Sequence, residues 1–189
     1  MNRIACAQTI EAALEPNDIV ICSLGSVNRS WRSVNPIQAS YFCSDPMGIS
    51  LAIALGMALA MPHRRVVALC GDGDAALGLS TLVTIAGAAV ANLSIMIFNN
   101  RRYETGGGQA LANPALDFAL VAQGAGLGFA RTVTDEAALK TALPELLAQP
   151  GTGLLALAID AEPLGYSPPL DISQAEERAL FMRRLGEIG

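Results

Sequence analysis

The residues of this chain whose types and spacing could do chemistry are Gly71-Asp72-Gly73 and, after the stretch 74–98, Asn99-Asn100. Asp72 offers a hard oxygen of the kind Mg²⁺ prefers. The glycines on either side allow a tight turn and a close approach of backbone to a ligand. A helix starting near Asp74 would aim free N–H groups and its positive dipole end at the same point. The set reads as a seat for a magnesium-bound diphosphate. GDG by itself would equally make a glycine turn with an aspartate cap. A strand before it and a double asparagine after it favour the ligand.

The elements that must position these residues follow from periodicity. Val66-Val67-Ala68-Leu69-Cys70 is an apolar, largely β-branched run suited to a strand buried on both faces and ending at Gly71. The stretch after it accommodates one helix, about 75–90, and one strand, 93–98, so Asn99-Asn100 falls at the C-terminal end of the next strand. Ligands of open α/β sheets bind at that edge. The remaining pattern predicts helices at 3–14, 48–61, 116–124 and 135–148, strands at 18–22, 128–133 and 153–160, and a polar helix from Ser173. Strands alternating with helices imply an α/β fold, a mostly parallel open sheet with helices on both faces. With 189 residues, 52% of them hydrophobic, and no repeat or Gly/Ser linker, a single domain over 1–189 is expected. Its core would span about 3–160, with a C-terminal helical extension over about 173–188.

The GDG and NN ends and their spacing resemble the signature of the thiamine diphosphate enzymes. That resemblance implies that Asp72, the Asn100 side chain and the Arg102 carbonyl hold Mg²⁺. It also implies that the diphosphate lies on the N–H groups of Gly73, Asp74 and Ala75, with Gly71 beside them. Upstream, Tyr41-Phe42-Cys43-Ser44-Asp45-Pro46-Met47-Gly48 and the small-residue helix after it are similar to another family segment. There a bulky residue, here Met47, pushes under the cofactor and bends it into its reactive shape. The Asp45 carbonyl would receive the pyrimidine amino group, and Gly48 would permit close helix packing. Met47 could also be core, since methionine fills irregular gaps.

Within the family the chain resembles the β subunit of sulfopyruvate decarboxylase and the C-terminal half of phosphonopyruvate decarboxylase, over about residues 3–160. Asp18 to Gly25, the Met47-Gly48 segment, and Asn99-Asn100 running into Tyr103 and Thr105-Gly106-Gly107-Gly108-Gln109 carry that likeness. Two positions depart from the pattern. Asp74 stands where Ser or Ala is commoner, adding negative charge beside the diphosphate, and Glu104 stands where Gly is typical. GDGD and TGGGQ are also similar to the β subunits of 2-oxoacid:ferredoxin oxidoreductases, whose N-terminal cysteine clusters have no counterpart here.

The resemblance implies chemistry carried by the cofactor, whose thiazolium C2 attacks the ketone of a 2-oxo acid so that CO₂ leaves and an aldehyde follows. The family places the glutamate that activates the pyrimidine on another domain type. No segment here reads as that domain, which implies a separate pyrimidine-binding α subunit. Candidate catalytic residues in this chain are Met47, Tyr103 and Glu104. Ser26, Asn28, Arg29, Arg32 and Thr105 are candidate cofactor or substrate contacts. Arg29 or Arg32 could pair with a sulfonate or phosphonate, although such arginines are more often surface charges. The alternatives are a subunit of a 2-oxo acid oxidoreductase or carboligase, and a non-catalytic structural paralogue.

Composition narrows the partners. Twelve Lys+Arg against 17 Asp+Glu, a net charge of −5, leave no basic stripe for nucleic acid. The Arg64-Arg65, Arg101-Arg102 and Arg183-Arg184 pairs read mostly as solvated faces. Cys6, Cys22, Cys43 and Cys70 form no CxxC, so they fit reduced, mostly buried thiols of a cytoplasmic protein rather than zinc or iron–sulfur ligands. The apolar helix 48–61 is shorter than a membrane span, and no charged segment with an apolar core opens the chain. His63 reads as a surface residue at the edge opposite the ligand. An apolar-rich surface suggests self-association.

Overall fold

Residues 1–44, 46–161 and 172–187 are described in the computed structural model. The chain runs α1 (Arg3–Glu11), β1 (Ile19–Cys22), α2 (Ser26–Ser33), β2 (Ala39–Phe42), α3 (Ser50–Ala60), β3 (Val66–Gly71), α4 (Asp72–Leu77), α5 (Thr81–Ala88) and β4 (Leu93–Asn99). A short hairpin of β5 (Arg102–Tyr103), a 3₁₀ turn (Glu104–Gly106) and β6 (Gln109–Ala110) follows. Then come α6 (Phe118–Ala125), β7 (Phe129–Val133), α7 (Glu136–Leu147), β8 (Gly153–Ala158) and α8 (Gln174–Glu187).

Six strands form one parallel sheet in the order β2-β1-β3-β4-β8-β7. The alternation of side chains across each strand divides the core in two. Ile19, Ile21, Val66, Ala68 and Cys70 face α3, α5, α6 and α8, while Val20, Cys22, Val67 and Leu69 face α1, α2 and α7. From β1 the chain winds outward to β2, and from β3 it winds the other way to β4. The gap between the C-terminal ends of β1 and β3 is therefore the point where the strand order reverses, and such crevices bind ligands.

Four expectations need correction. Neither α2 nor β2 was foreseen: Ser26–Ser33 is polar and Ala39–Phe42 is only four residues long. The pair is secured by tertiary contact, with the Trp31 indole fully buried and its Nε1 donating to Ser40 Oγ at 2.9 Å. The expected helix 75–90 is two helices, and the first begins at Asp72. It breaks at Gly78, where a Cβ would lie 2.2 Å from the Gly48 carbonyl oxygen, so α4 ends on direct backbone contact with another segment. The C-terminal helix is not merely polar. Phe181 and Leu185 of α8 join the core, and the Phe181 ring meets Tyr41 of the edge strand at 5.4 Å between centroids. Arg64 is also buried, donating to the carbonyls of Asn17 and Leu185, whereas His63 is exposed as expected. All four cysteines are buried.

Because α8 covers the β2 edge through Phe181, Phe181→Ala should lower unfolding free energy by about 3–5 kcal/mol, as for other buried aromatics. Met182→Ala, at an exposed position of the same helix, should stay within about 0.5 kcal/mol. Urea denaturation followed by circular dichroism checks both, and equal effects would mean that α8 does not seal the sheet.

Candidate active site

At the β3 C-terminus the backbone N–H of Gly71 donates to Ser23 Oγ at 2.9 Å, pinning the end of β3 to the end of β1. The chain enters α4 at once, so Asp72 and Gly73 sit in the crevice. Across the sheet, β4 pairs with β3 in register, Gly71 opposite Phe98, which brings Asn99-Asn100 beside Asp72. Arg101 then adopts a left-handed conformation, φ 62°, turning the chain back so that its N–H reaches Asp72 Oδ2 at 2.5 Å. The N–H of Gly73 binds Asp72 Oδ1 at 2.8 Å. Asn100 Oδ1 accepts the N–H of Arg102 at 2.9 Å. Asp72 is 3% exposed and Asn100 9%.

Ser26, Met47, Gly71, Asp72, Gly73, Asp74, Asn100, Arg102, Tyr103 and Glu104 line one cleft, so the structure brings together most of the residues expected to form the site. Thr105 lines it too, as do Leu24 and Phe98, which carry no motif of their own. Glycine at 73 lets two side chains come close: a Cβ there would lie 2.7 Å from the Tyr103 ring and 3.0 Å from Met47 Cε, so Tyr103 would have to shift. Gly25, φ 86°, is approached as closely by Thr105, whose Cγ2 would lie 2.5 Å from a Cβ, and it opens α2 toward the cleft. Ala75 and Gly48 do not line the cleft: Ala75 packs into the core, and the Gly48 N–H is bound by Asp74. Asp45 lies outside the described residues.

Charge at the site is arranged differently from the expectation. Glu104 forms a two-pronged ion pair with Arg3 of α1, both contacts 2.5 Å, and Arg3 is 3% exposed. Burial tends to raise the Glu104 carboxyl, but hydrogen bonds from Arg3 and Ser26 and the charges of Arg3 and Arg29 together hold it below the usual range. Glu104 is thus a fixed carboxylate, a poor source of protons near neutrality. Asp74 accepts from Gly48 and Ser50 and does not direct its charge at the Asp72 cluster. Of the two candidate arginines, Arg32 is committed elsewhere. It pairs with Glu177, takes Asn28 Oδ1 at 2.7 Å and stacks on Phe42 at 3.5 Å. Arg29 is half-buried, and its charge reaches Glu104 at the cleft. Arg3 could not have been found from sequence, because it meets Glu104 only through the packing of α1 near the cleft.

The donor set fits a magnesium-bound diphosphate. Asp72 carboxylate, Asn100 amide oxygen and Arg102 carbonyl are hard ligands, and Mg²⁺ ordinarily completes its octahedron with water and phosphate oxygens. Among the described residues no three His, Cys, Asp or Glu side chains cluster to hold a metal alone. A cation at Asp72 would take its remaining ligands from amide, carbonyl, water or phosphate oxygens.

Residues 22–157 match the family model described as thiamine pyrophosphate enzyme, C-terminal TPP binding domain. The chain belongs to that family. It is 35% identical over 135 residues to the sulfopyruvate decarboxylase subunit beta of Methanothermobacter thermautotrophicus, covering 71% of this chain and 72% of the relative. It is 31% identical over 157 residues to phosphonopyruvate decarboxylase of Streptomyces hygroscopicus, covering 83% of this chain but only 39% of that protein. Among solved structures, a thiamine diphosphate-dependent 4-hydroxybenzoylformate decarboxylase of Rhodococcus jostii superposes with a TM-score of 0.72 at 24% identity, over 85% of this chain and 33% of that one. At that identity the likeness speaks for the fold.

Burial pushes the Asp72 carboxyl up to about 6, against opposing hydrogen bonds from the backbone N–H groups of Gly73, Arg101 and Arg102. With the folded value above the unfolded value of about 4, the contribution of Asp72 to stability is full below pH 4 and is lost as pH rises through 6. In chelator, the denaturation midpoints of wild type and Asp72→Asn, measured from about pH 4 to pH 7, should diverge in that sense. Parallel profiles would refute the burial argument.

Proposed function

We propose that this chain is the diphosphate-binding β subunit of a thiamine diphosphate- and Mg²⁺-dependent 2-oxo acid decarboxylase, a carbon–carbon lyase active with a separate pyrimidine-binding α subunit. The observation that carries this reading is the meeting of Asp72 with the Asn100–Arg102 turn over the bare Gly73 backbone. Asp72, Asn100 and Arg102 hold the cation, and the backbone of Gly73 and Asp74 at the start of α4 faces the diphosphate. When bound, the cofactor supplies the carbanion that takes up the substrate ketone and the electron sink that lets CO₂ depart.

The residues of this chain bind, shape and shield. Met47 supports the cofactor from below, and Tyr103 beside it closes the cleft over Gly73. Glu104, fixed as a carboxylate by Arg3, does not serve as the pyrimidine-activating acid, so that group comes from the partner. The likeness to a protein named subunit beta supports such a partner. So does the outer surface of α3, α5 and α6, which carries no charged residue and exposes Leu59, Val83 and Leu120. Arg29, whose charge acts on Glu104 of the cleft, is a candidate partner for the second anionic group of a three-carbon 2-oxo acid, with sulfopyruvate and phosphonopyruvate the first substrates to try.

In calorimetry with Mg²⁺ and the partner present, Asp72→Ala should abolish thiamine diphosphate binding, and wild-type affinity in that variant would sink the metal assignment. Coupled aldehyde assays should detect no turnover by the chain alone and CO₂ release once the partner is added. Full turnover by the chain alone would end the two-subunit reading. In the complex, Met47→Ala should lower kcat about tenfold or more while the protein stays folded by circular dichroism, and an undiminished kcat would remove its supporting role.

A further inference from the structure

Asp74 follows Gly73 in the first turn of α4 and is 5% exposed. Both of its carboxylate oxygens are taken by the segment that carries Met47. Oδ1 accepts the N–H of Gly48 at 2.7 Å, and Oδ2 accepts the hydroxyl of Ser50. Ser50 is the first residue of α3, and α3 has no side-chain cap from its own N-terminal residue. Asp74 therefore ties the Gly48 turn and the first side chain of α3 to α4, two groups on either side of the Ile49 position where α3 begins.

The same turn is gripped at its other side. Gly48 has φ 97°, and a Cβ there would meet Leu77 and the Gly78 backbone at 3.2–3.3 Å, while Gly78 itself lies against the Gly48 carbonyl. The first and last turns of α4 thus hold the Met47-Gly48 turn from two directions. Met47 Cε and the Tyr103 ring both lie within 3.0 Å of one point beside Gly73, so the methyl and the ring are neighbours at the floor of the cleft. A serine at position 74 has one oxygen on a shorter arm and could not receive both donors.

We propose that Asp74 is a positioning residue that fixes the Met47-Gly48 turn against Gly73 and so sets how far Met47 reaches into the cleft. Its carboxylate is turned to the protein and does not act on the diphosphate. The consequence for catalysis rests on the reading of Met47 as the support of the cofactor, but the contact itself is a property of this chain.

The test is the ¹³C-methyl methionine spectrum of the full chain. Its six methionines are few enough to resolve, and the Met47 signal is assigned by its disappearance in Met47→Leu. Asp74→Ala should move the Met47 methyl resonance away from its ring-shifted position or broaden it, leaving Met96 in the core of β4 and Met182 on the outside of α8 in place. Asp74→Asn keeps an acceptor for Gly48 and should give a smaller shift in the same direction, and it serves if the alanine variant fails to fold. By calorimetry with thiamine diphosphate and Mg²⁺, both variants should bind within about threefold of wild type. An unmoved Met47 methyl in either folded variant, or a tenfold change in cofactor affinity with the methyl in place, overturns the proposal. Full turnover by Met47→Ala alongside a shifted methyl in Asp74→Ala would instead retire the supporting role of Met47 and leave the positioning contact standing.

Discussion

The Asp72 carboxylate is held by backbone N–H donors from two strand ends at once, Gly73 after β3 and Arg101 after β4. That arrangement exists only while the two strands keep their register, Gly71 opposite Phe98. A slip of one residue would turn every apolar side chain of the strand to the other face. The register is secured by apolar residues on both faces of β3 and β4, since each strand is buried throughout apart from its last residue. The hydrophobic core is thus what aims an acidic group and an amide oxygen at one spot. Burial raises the Asp72 carboxyl above the usual carboxylate range, and a cation bound there would offset that cost.

Close backbone approach is the second constraint. Gly73, Gly48 and Gly78 each stand where a Cβ would collide with a neighbour, and together they allow α4, the Met47 turn and the Tyr103 hairpin to meet without intervening side chains. The break between α4 and α5 follows from the same crowding. A continuous helix through Gly78 would have to leave the Gly48 carbonyl behind, and with it the contact that steadies the turn.

Electrostatics then divides labour between this chain and its surroundings. Glu104, one of the acids lining the cleft, is neutralised by a buried arginine from the first helix of the chain, so it braces the hairpin rather than transferring protons. Among the described residues that line the cleft, the acids Asp72, Asp74 and Glu104 are all engaged within the chain. The outer surface of α3, α5 and α6 is uncharged and exposes Leu59, Val83 and Leu120.

The sequence by itself determined the parallel α/β sheet and the position of its ligand edge. Buried strands must be continuously apolar, and glycine-flanked Asp72 with Asn99-Asn100 at a fixed spacing admits few geometries. It also singled out Met47, Gly73, Asn100 and Tyr103, because those positions carry motif residues. Helix α2, strand β2 and the buried face of α8 were not legible, since short or polar segments are stabilised by partners far away in the chain, as Trp31 is by Ser40 and Phe181 by Tyr41. The roles of the charged residues were decided only in three dimensions. Whether Glu104 meets Arg3, Arg32 meets Glu177, or Asp74 turns to Gly48 rather than to a phosphate depends on which elements pack together. A charge has no periodicity from which its partner can be read.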